Sequence, residues 1–435
     1  VITSLAKTSA ALSLALAALS FPAVADRPVI DIKNARVEAY KIALAPVVGD
    51  PTSGGAVMDV LRSDLSRSGL FKILDPKSFL ANPATEGMTE KTIDFSKWTT
   101  VDAQGLLKTS ATVAGDVVTM EFFLFETAKG SQILHGSYHA PIAGQRQIAH
   151  GIADEIVKFF TGDRGDFQTR IAYVRETADG KQIVIADSDG ANAQSLTGAS
   201  INLLPAWVPG GNALAFTTFR DGAPHIYTVD TATRAIKPLV LMGDFATGAA
   251  YSPDGLRFTF SASINDNTDI YLSQADASAG RKLTDARGID ISATWSPDGK
   301  QLCFISDRAG GPQLYLMNAD GTNQRRLTFQ GNYNQEPAWS PKGDLIAFSG
   351  RDEKRSFDIY TVNPVSGVIV RVTQDSGTNE KPSWSPNGRH LVFSSTRSGK
   401  RQLWMSTPDG KTQSKLTEEG KGASDPSWGP FIDSK

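Results

Sequence analysis

Apolar residues along most of this chain fall in short runs, often alternating with polar ones and broken by Gly-, Pro- and Asp-rich turns. Runs of that length and period predict β-strands, and from Ile171 onward no helical period interrupts them. The runs also recur at a fixed interval. Trp339-Ser340-Pro341-Lys342-Gly343 has near-copies at Trp207, Tyr251, Trp295 and Trp384, and Trp428 follows, with every step 44 or 45 residues. A repeat of that length, with one aromatic per unit, is the signature of a repeat architecture.

Within the unit from Glu336 to Thr373, Glu336–Trp339 reads as a short strand and Ser340-Pro341-Lys342-Gly343 as its type I turn. Leu345–Ser349, Asp358–Val362 and Val368–Thr373 read as three further strands, rich in branched and aromatic residues. Four antiparallel strands without a helix predict a propeller blade. At the ends, Ile171–Val174, Gln182–Ile185 and Ser195–Thr197 match strands two to four of a blade, while Asp425–Trp428 matches a first strand alone. Joining them predicts six blades, an all-β propeller over residues 166–435, closed by residues 425–428.

Residues 26–165 lack the repeat and predict a smaller α/β domain with two helices on a mixed sheet. Lys41–Val47, Phe71–Leu74, Val117–Phe125 and Ile133–Tyr138 read as strands. One helix is expected from Gly54 to Ser68, capped by Ser53 and ended by Gly69, with Val57, Leu61 and Leu65 on its apolar face. A second, over about Gln145–Thr161, places Ile148, Ile152, Ile156 and Phe159 on one stripe. Gly162–Gly165 is the expected boundary.

The first 25 residues differ again. Lys7 precedes an apolar stretch from Ala10 to Leu19, and Ala23-Val24-Ala25 supplies small residues, so a secretory signal cleaved after Ala25 is expected. Residues 26–37 would then form a new N-terminus. Their alternation at Val29, Ile30 and Ile32 suits either docking on the chain's own domain or adding a strand to a partner's sheet.

Composition narrows the chemistry. A formal charge of −2, with Lys and Arg scattered among Asp and Glu, gives no basis for a nucleic-acid partner or membrane insertion of the mature chain. The lone Cys303 cannot form an internal disulfide and reads as core. No Gly-x-Ser-x-Gly pentad occurs, and the five histidines are dispersed, so neither a serine hydrolase nor a histidine metal cluster is expected; no cofactor is assigned. Asp189-Gly190, Asp320-Gly321 and Asp409-Gly410 suit hairpins better than calcium loops. Asp290, Glu336, Glu380 and Asp425 precede or begin the inner strands, where an acidic channel mouth could hold a cation or face a basic partner.

The junction from Ile152-Ala153-Asp154-Glu155-Ile156 through Thr161-Gly162-Asp163-Arg164-Gly165 to Thr169–Val174, with the signal and blade number, resembles the TolB family of the Tol-Pal system of Gram-negative bacteria. The resemblance covers essentially the whole chain. It implies a non-enzymatic, monomeric periplasmic scaffold that supports outer-membrane invagination at cell division and outer-membrane integrity. It also implies binding of the lipoprotein Pal at a channel mouth, here Phe245, Ala246, Thr247, Ile289, Asp290, Ile291, Asn332, Tyr333, Asn334, Gln335, Glu336, Thr378, Asn379 and Glu380. TolA would engage the mature N-terminus, with Asp26, Arg27, Val29, Ile30, Asp31 and Ile32 as the contacts. The alternative is a propeller enzyme acting on envelope polysaccharide, which needs a basic or metal-bearing cluster in the channel.

Overall fold

The repeat folds as its spacing predicts. The computed structural model describes residues 38–82, 85–278, 280–351, 353 and 355–432. Both the expected signal and the 26–37 segment lie outside these residues. Six four-stranded antiparallel sheets follow one another around a ring. Blade I runs outward from Asn202–Trp207 through Ala213–Thr218 and His225–Asp230 to Ile236–Val240. The inner strands of blades II to V are Phe245–Tyr251, Asp290–Trp295, Asn334–Trp339 and Asn379–Trp384. Blade VI joins the two ends of the repeat, pairing Ala423–Phe431 with Thr169–Glu176 in a register that sets Trp428 opposite Ile171.

Apolar faces of neighbouring blades bury each other, with Phe216, Phe260, Phe304, Phe348 and Phe393 almost wholly enclosed. The periodic tryptophans add a polar tie. Trp207 donates its indole N–H to Ser427 O (2.9 Å), Trp295 to Ala250 O (3.0 Å) and Trp384 to Ala338 O (2.9 Å), each reaching the preceding blade. Trp339 and Trp428 donate within their own blades instead, to Gly343 O (3.3 Å) and Thr169 Oγ1 (2.8 Å), so each periodic indole still finds the acceptor that burial demands. Cys303 is buried among apolar side chains, and burial holds its thiol well above the usual range.

In the N-terminal lobe the sheet runs β3 (Phe71–Ile73), β1 (Tyr40–Leu44), β4 (Gly105–Ala114), β5 (Val117–Glu126) and β6 (Ser131–Pro141), with β2 (Val48–Gly49) also on β4. Parallel pairing at β1 and antiparallel pairing from β4 to β6 make it mixed, as expected. Helices α1 (Pro51–Arg67) and α3 (Gln145–Thr161) cover one face. A short helix α2 (Phe95–Thr100) and its flanks, centred on Trp98, cover part of the other.

Three details correct the expectations. The cap of α1 is Asp50, whose carboxylate accepts from Ser53 N (2.7 Å), because Pro51 suits the first turn and moves the start upstream. Phe160, and not Phe159, completes the buried stripe of α3. Neither α2 nor the central strand β4 was expected. Gly162, in the left-handed conformation, ends α3, and residues 163–168 then lead under the propeller.

Candidate functional site: the channel and its open rim

Each inner strand carries a register shift at the same point of the repeat. At each shift one residue has positive φ: Leu204, Gly248, Ser292, Glu336, Lys381 and Asp425, three residues before the periodic aromatic. Five of the six are not glycine, and the left-handed conformation costs such residues about 1 kcal/mol or more each. The bulge frees a backbone N–H, which the preceding blade recovers in several cases. Ser292 N donates to Ser261 Oγ (3.2 Å), Lys381 N to Ser349 Oγ (2.9 Å), and Gly248 N to Thr217 Oγ1 (3.3 Å).

The six positions make an uneven ring. Leu204, Gly248 and Ser292 are uncharged, while Glu336, Lys381 and Asp425 are charged and linked. The Lys381 ammonium lies 2.6 Å from Asp425 Oδ1 and 3.7 Å from Glu336 Oε1. Glu336 Oε2 also accepts from Lys381 N (2.9 Å) and Ser349 Oγ (2.8 Å). Burial pulls the ammonium pKa down, but Asp425 and Glu336 outweigh it and hold it above the ordinary lysine value. Burial raises Glu336 despite Lys381.

This geometry corrects the expected acidic mouth. Asp290 is fully buried against Arg308 (2.7 Å), Glu380 pairs with Arg401 (2.6 Å), and Glu336 and Asp425 flank a lysine. The four carboxylates form no common acidic cradle.

The rim residues divide in the same way. Ala246, Asp290, Asn334 and Asn379 are buried, so they have no surface to offer a partner. Asn334 and Asn379 instead brace the chain entering the inner strand: Asn334 Nδ2 donates to Gln330 O (2.9 Å), and Asn379 Nδ2 to Asp358 Oδ1 (2.9 Å). Phe245, Thr247, Ile291, Tyr333, Gln335, Glu336, Thr378 and Glu380 are half-buried, and Asn332 and Ile289 are exposed. Tyr333 rests edge-on against Phe357.

On the same face stand further apolar side chains, of which the sequence reading named only Ile289. On the loops entering the inner strands, Ile201 is 49% exposed, Leu241 60%, Ile289 49% and Phe329 73%; Phe219 lies on a hairpin of the same face. Ile201 precedes the inner strand of blade I as Ile289 precedes that of blade III, so superposing the repeats would have added Ile201.

The opposite face is built over by the N-terminal lobe. Arg146 on α3 reaches Asp187 and Asp189 of blade VI, Arg389 Nη2 meets Asp163 (2.8 Å), and Asn387 Nδ2 donates to Arg164 O (3.0 Å). His390 Nδ1 lies 2.7 Å from Asp166 Oδ2, and both residues are buried. The three Asp-Gly pairs form tight turns on this face, each glycine at positive φ with its N–H bonded three residues back.

A ring of six blades closed by a C-terminal strand, with one face roofed by an α/β lobe and the other open, defines a class of two-lobed β-propeller proteins. Residues 157–432 match the family model described as the TolB beta propeller domain, and residues 28–133 the TolB amino-terminal domain. The chain belongs to the TolB family, the TolB proteins of the Tol-Pal system. The Tol-Pal system protein TolB of Anaeromyxobacter dehalogenans strain 2CP-C is 47% identical over 96% of this chain and 97% of its own. That of Myxococcus xanthus strain DK1622 is 43% identical over 46% of this chain and 48% of its own. The crystal structure of TolB from Acinetobacter baumannii superposes with a TM-score of 0.81 at 28% identity, covering 90% of this chain and 97% of that one. Among the described residues, no helix is long and apolar enough to cross a membrane.

Proposed function

We propose that the chain is a non-enzymatic periplasmic scaffold of the Tol-Pal system that docks Pal on the open rim of its propeller. In this reading residues 1–25 direct export, and residues 26–37 engage TolA. The pairing of both partners on one scaffold supports outer-membrane invagination at division and the integrity of that membrane. The observation that carries the docking site is the contrast between the faces. One is met by the chain's own lobe; the other leaves Ile201, Leu241, Ile289 and Phe329 in solvent on the loops that enter the inner strands, with Phe329 under the Arg326 guanidinium. Partly exposed apolar side chains on a rigid rim are what protein interfaces use as anchors. The half-buried members of the expected Pal set, with Ile289 and Asn332, stay in the proposal, while the four buried ones support the loops.

Calorimetric titration of residues 26–435 with the soluble domain of the same organism's Pal tests it. Saturable one-to-one binding, weakened by Ile289→Asp and Phe329→Ser, is expected. Absence of binding, or binding indifferent to both substitutions, would remove Pal from this rim. Deleting residues 26–37 should abolish TolA binding and leave the Pal titration unchanged.

A further inference from the structure

Where the two lobes meet, a buried cluster carries a feature that neither the rim nor the channel uses. Asp64 on α1 is fully buried, and its Oδ2 lies 2.7 Å from Nδ1 of His150 on α3. Its other carboxylate oxygen takes the Arg67 guanidinium. The imidazole, 4% exposed, is thereby held with Nε2 free, and Nε2 has no hydrogen-bond partner among the described residues. A ring nitrogen of His150 and one carboxylate oxygen each from Asp187 and Asp189 all lie within 4.8 Å of one another. The two aspartates belong to blade VI of the propeller, so this grouping spans both lobes.

We infer that His150, Asp187 and Asp189 form a binding site for a divalent cation of the zinc class, joining the N-terminal lobe to the propeller. Three arguments converge on it. An imidazole nitrogen and two carboxylate oxygens are a donor set zinc accepts, at about 2.0–2.2 Å after a small closure. The Asp64–His150 contact is the support that metal-binding histidines ordinarily have, a carboxylate on the far nitrogen that fixes the ring and raises its basicity. Charge points the same way. Among the described residues, the cationic partners of Asp64, Asp187 and Asp189 besides His150 are Arg67 and Arg146, so with a neutral imidazole the cluster has one negative charge to spare. Arg146, bonded to Asp189, ion-paired with Asp187 at 3.5 Å and only partly buried, competes with the metal and must swing outward as it enters.

The test uses the full chain without a histidine tag, stripped with chelator and titrated with zinc chloride by calorimetry, with a thermal melt beside it. One saturable site and a melting temperature that rises with zinc are expected. His150→Ala and Asp187→Asn should each abolish that site while circular dichroism stays native. Asp64→Asn, which removes only the support of the ring, should weaken zinc about 10- to 100-fold. Arg146→Ala should tighten it, a result that an adventitious surface site would not give. No saturable binding by the unsubstituted chain overturns the inference, and a proton on His150 then meets the surplus charge. Binding that survives both His150→Ala and Asp187→Asn overturns it as well.

Discussion

The two faces of the propeller are made by the same repeat and differ in nearly everything that decides what they can touch. On the roofed face, turns and hairpins meet the N-terminal lobe through charged and polar groups, Asp163 with Arg389, Asp166 with His390, Arg146 with Asp187 and Asp189. On the open face, Ile201, Leu241, Ile289 and Phe329 stand in solvent. A repeat needs its strands and its tryptophans to close the ring, but its loops are free to vary, so each rim can acquire its own chemistry. Apolar side chains are exposed on the turns of the roofed face too, Leu256 and Val365 among them, so what sets the open face apart is that its apolar residues sit on the loops entering the inner strands, away from the lobe.

The largest effect should come from abolishing the distinction altogether. A chain ending at Gly420 lacks Ala423–Phe431, the inner strand of blade VI, and leaves Thr169–Glu176 as an open edge. Loss of the cooperative thermal transition of the ring is expected. A melt matching the full chain would show that closure contributes little. Next is the channel that runs between the faces. Lys381→Met leaves Glu336 and Asp425 without their shared cation, at a cost of about 3 kcal/mol, the lower end for a broken buried pair because the channel is partly open. Denaturant unfolding of the variant measures it.

The roofed face has its own pH signature. Asp154 on α3 accepts from Phe167 N (2.9 Å) and Gln168 N (3.2 Å), yet burial outweighs these bonds and pushes its pKa up to about 7. A carboxyl raised on folding takes up a proton between its unfolded and folded pKa values. The cost of ionising it is therefore full above pH 7 and gone below the unfolded value, so this group favours folding as pH falls through that window. Asp154→Asn should remove that component. Comparing unfolding free energies at pH 5 and pH 8 for both chains checks it, and an unchanged difference would assign the pH dependence to other groups.

Legibility in the sequence followed periodicity. The propeller, its closure and its blade number were readable because one aromatic returns at a constant step and because a strand missing at one end appears at the other. The N-terminal lobe was read in part. Helix α3 matched its expected limits, since its apolar stripe has the helical period. Strand β4 was missed because its leading apolar run is only Leu106-Leu107 and breaks at Lys108, a lysine that the strand keeps buried. Lys108 is tolerated there only by its contacts with Glu86, a partner that sequence spacing cannot reveal. The rim was half legible. Its loops were located, but burial of Asp290, Asn334 and Asn379, and the Lys381 bridge, depend on neighbours in other strands or blades.

A paired substitution sharpens the contrast between faces more gently. Phe329→Ser on the open rim should weaken Pal by about tenfold, a typical anchor loss, with stability within about 0.5 kcal/mol of the parent. Asn387→Ala on the roofed face removes a side-chain bond to Arg164 O and should do the reverse, costing about 1 kcal/mol of stability and leaving Pal affinity alone. Calorimetry and denaturant melts on the same two variants decide it. If both variants lose Pal binding, the two faces are coupled.

The smallest expected effect concerns the rim carboxylates. Replacing an exposed, unpaired carboxylate beside a partner's basic patch would lower the association rate and its salt sensitivity. Glu380 is not such a group, because its Oε2 lies 2.6 Å from Arg401 Nη1 and the pair presents little net charge. Glu336 is held by Lys381 and Ser349 in the same manner. The Glu336→Gln, Glu380→Gln double variant should therefore change the Pal association rate by no more than about twofold at low salt. Arg401, released from Glu380, would make the mouth slightly more basic, so the small change should depend on the sign of the patch that Pal presents. Stopped-flow association at two salt concentrations reads this directly. A tenfold fall in rate with a flattened salt dependence would mean that Pal pulls these carboxylates away from Lys381 and Arg401, and that the rim rearranges when it docks.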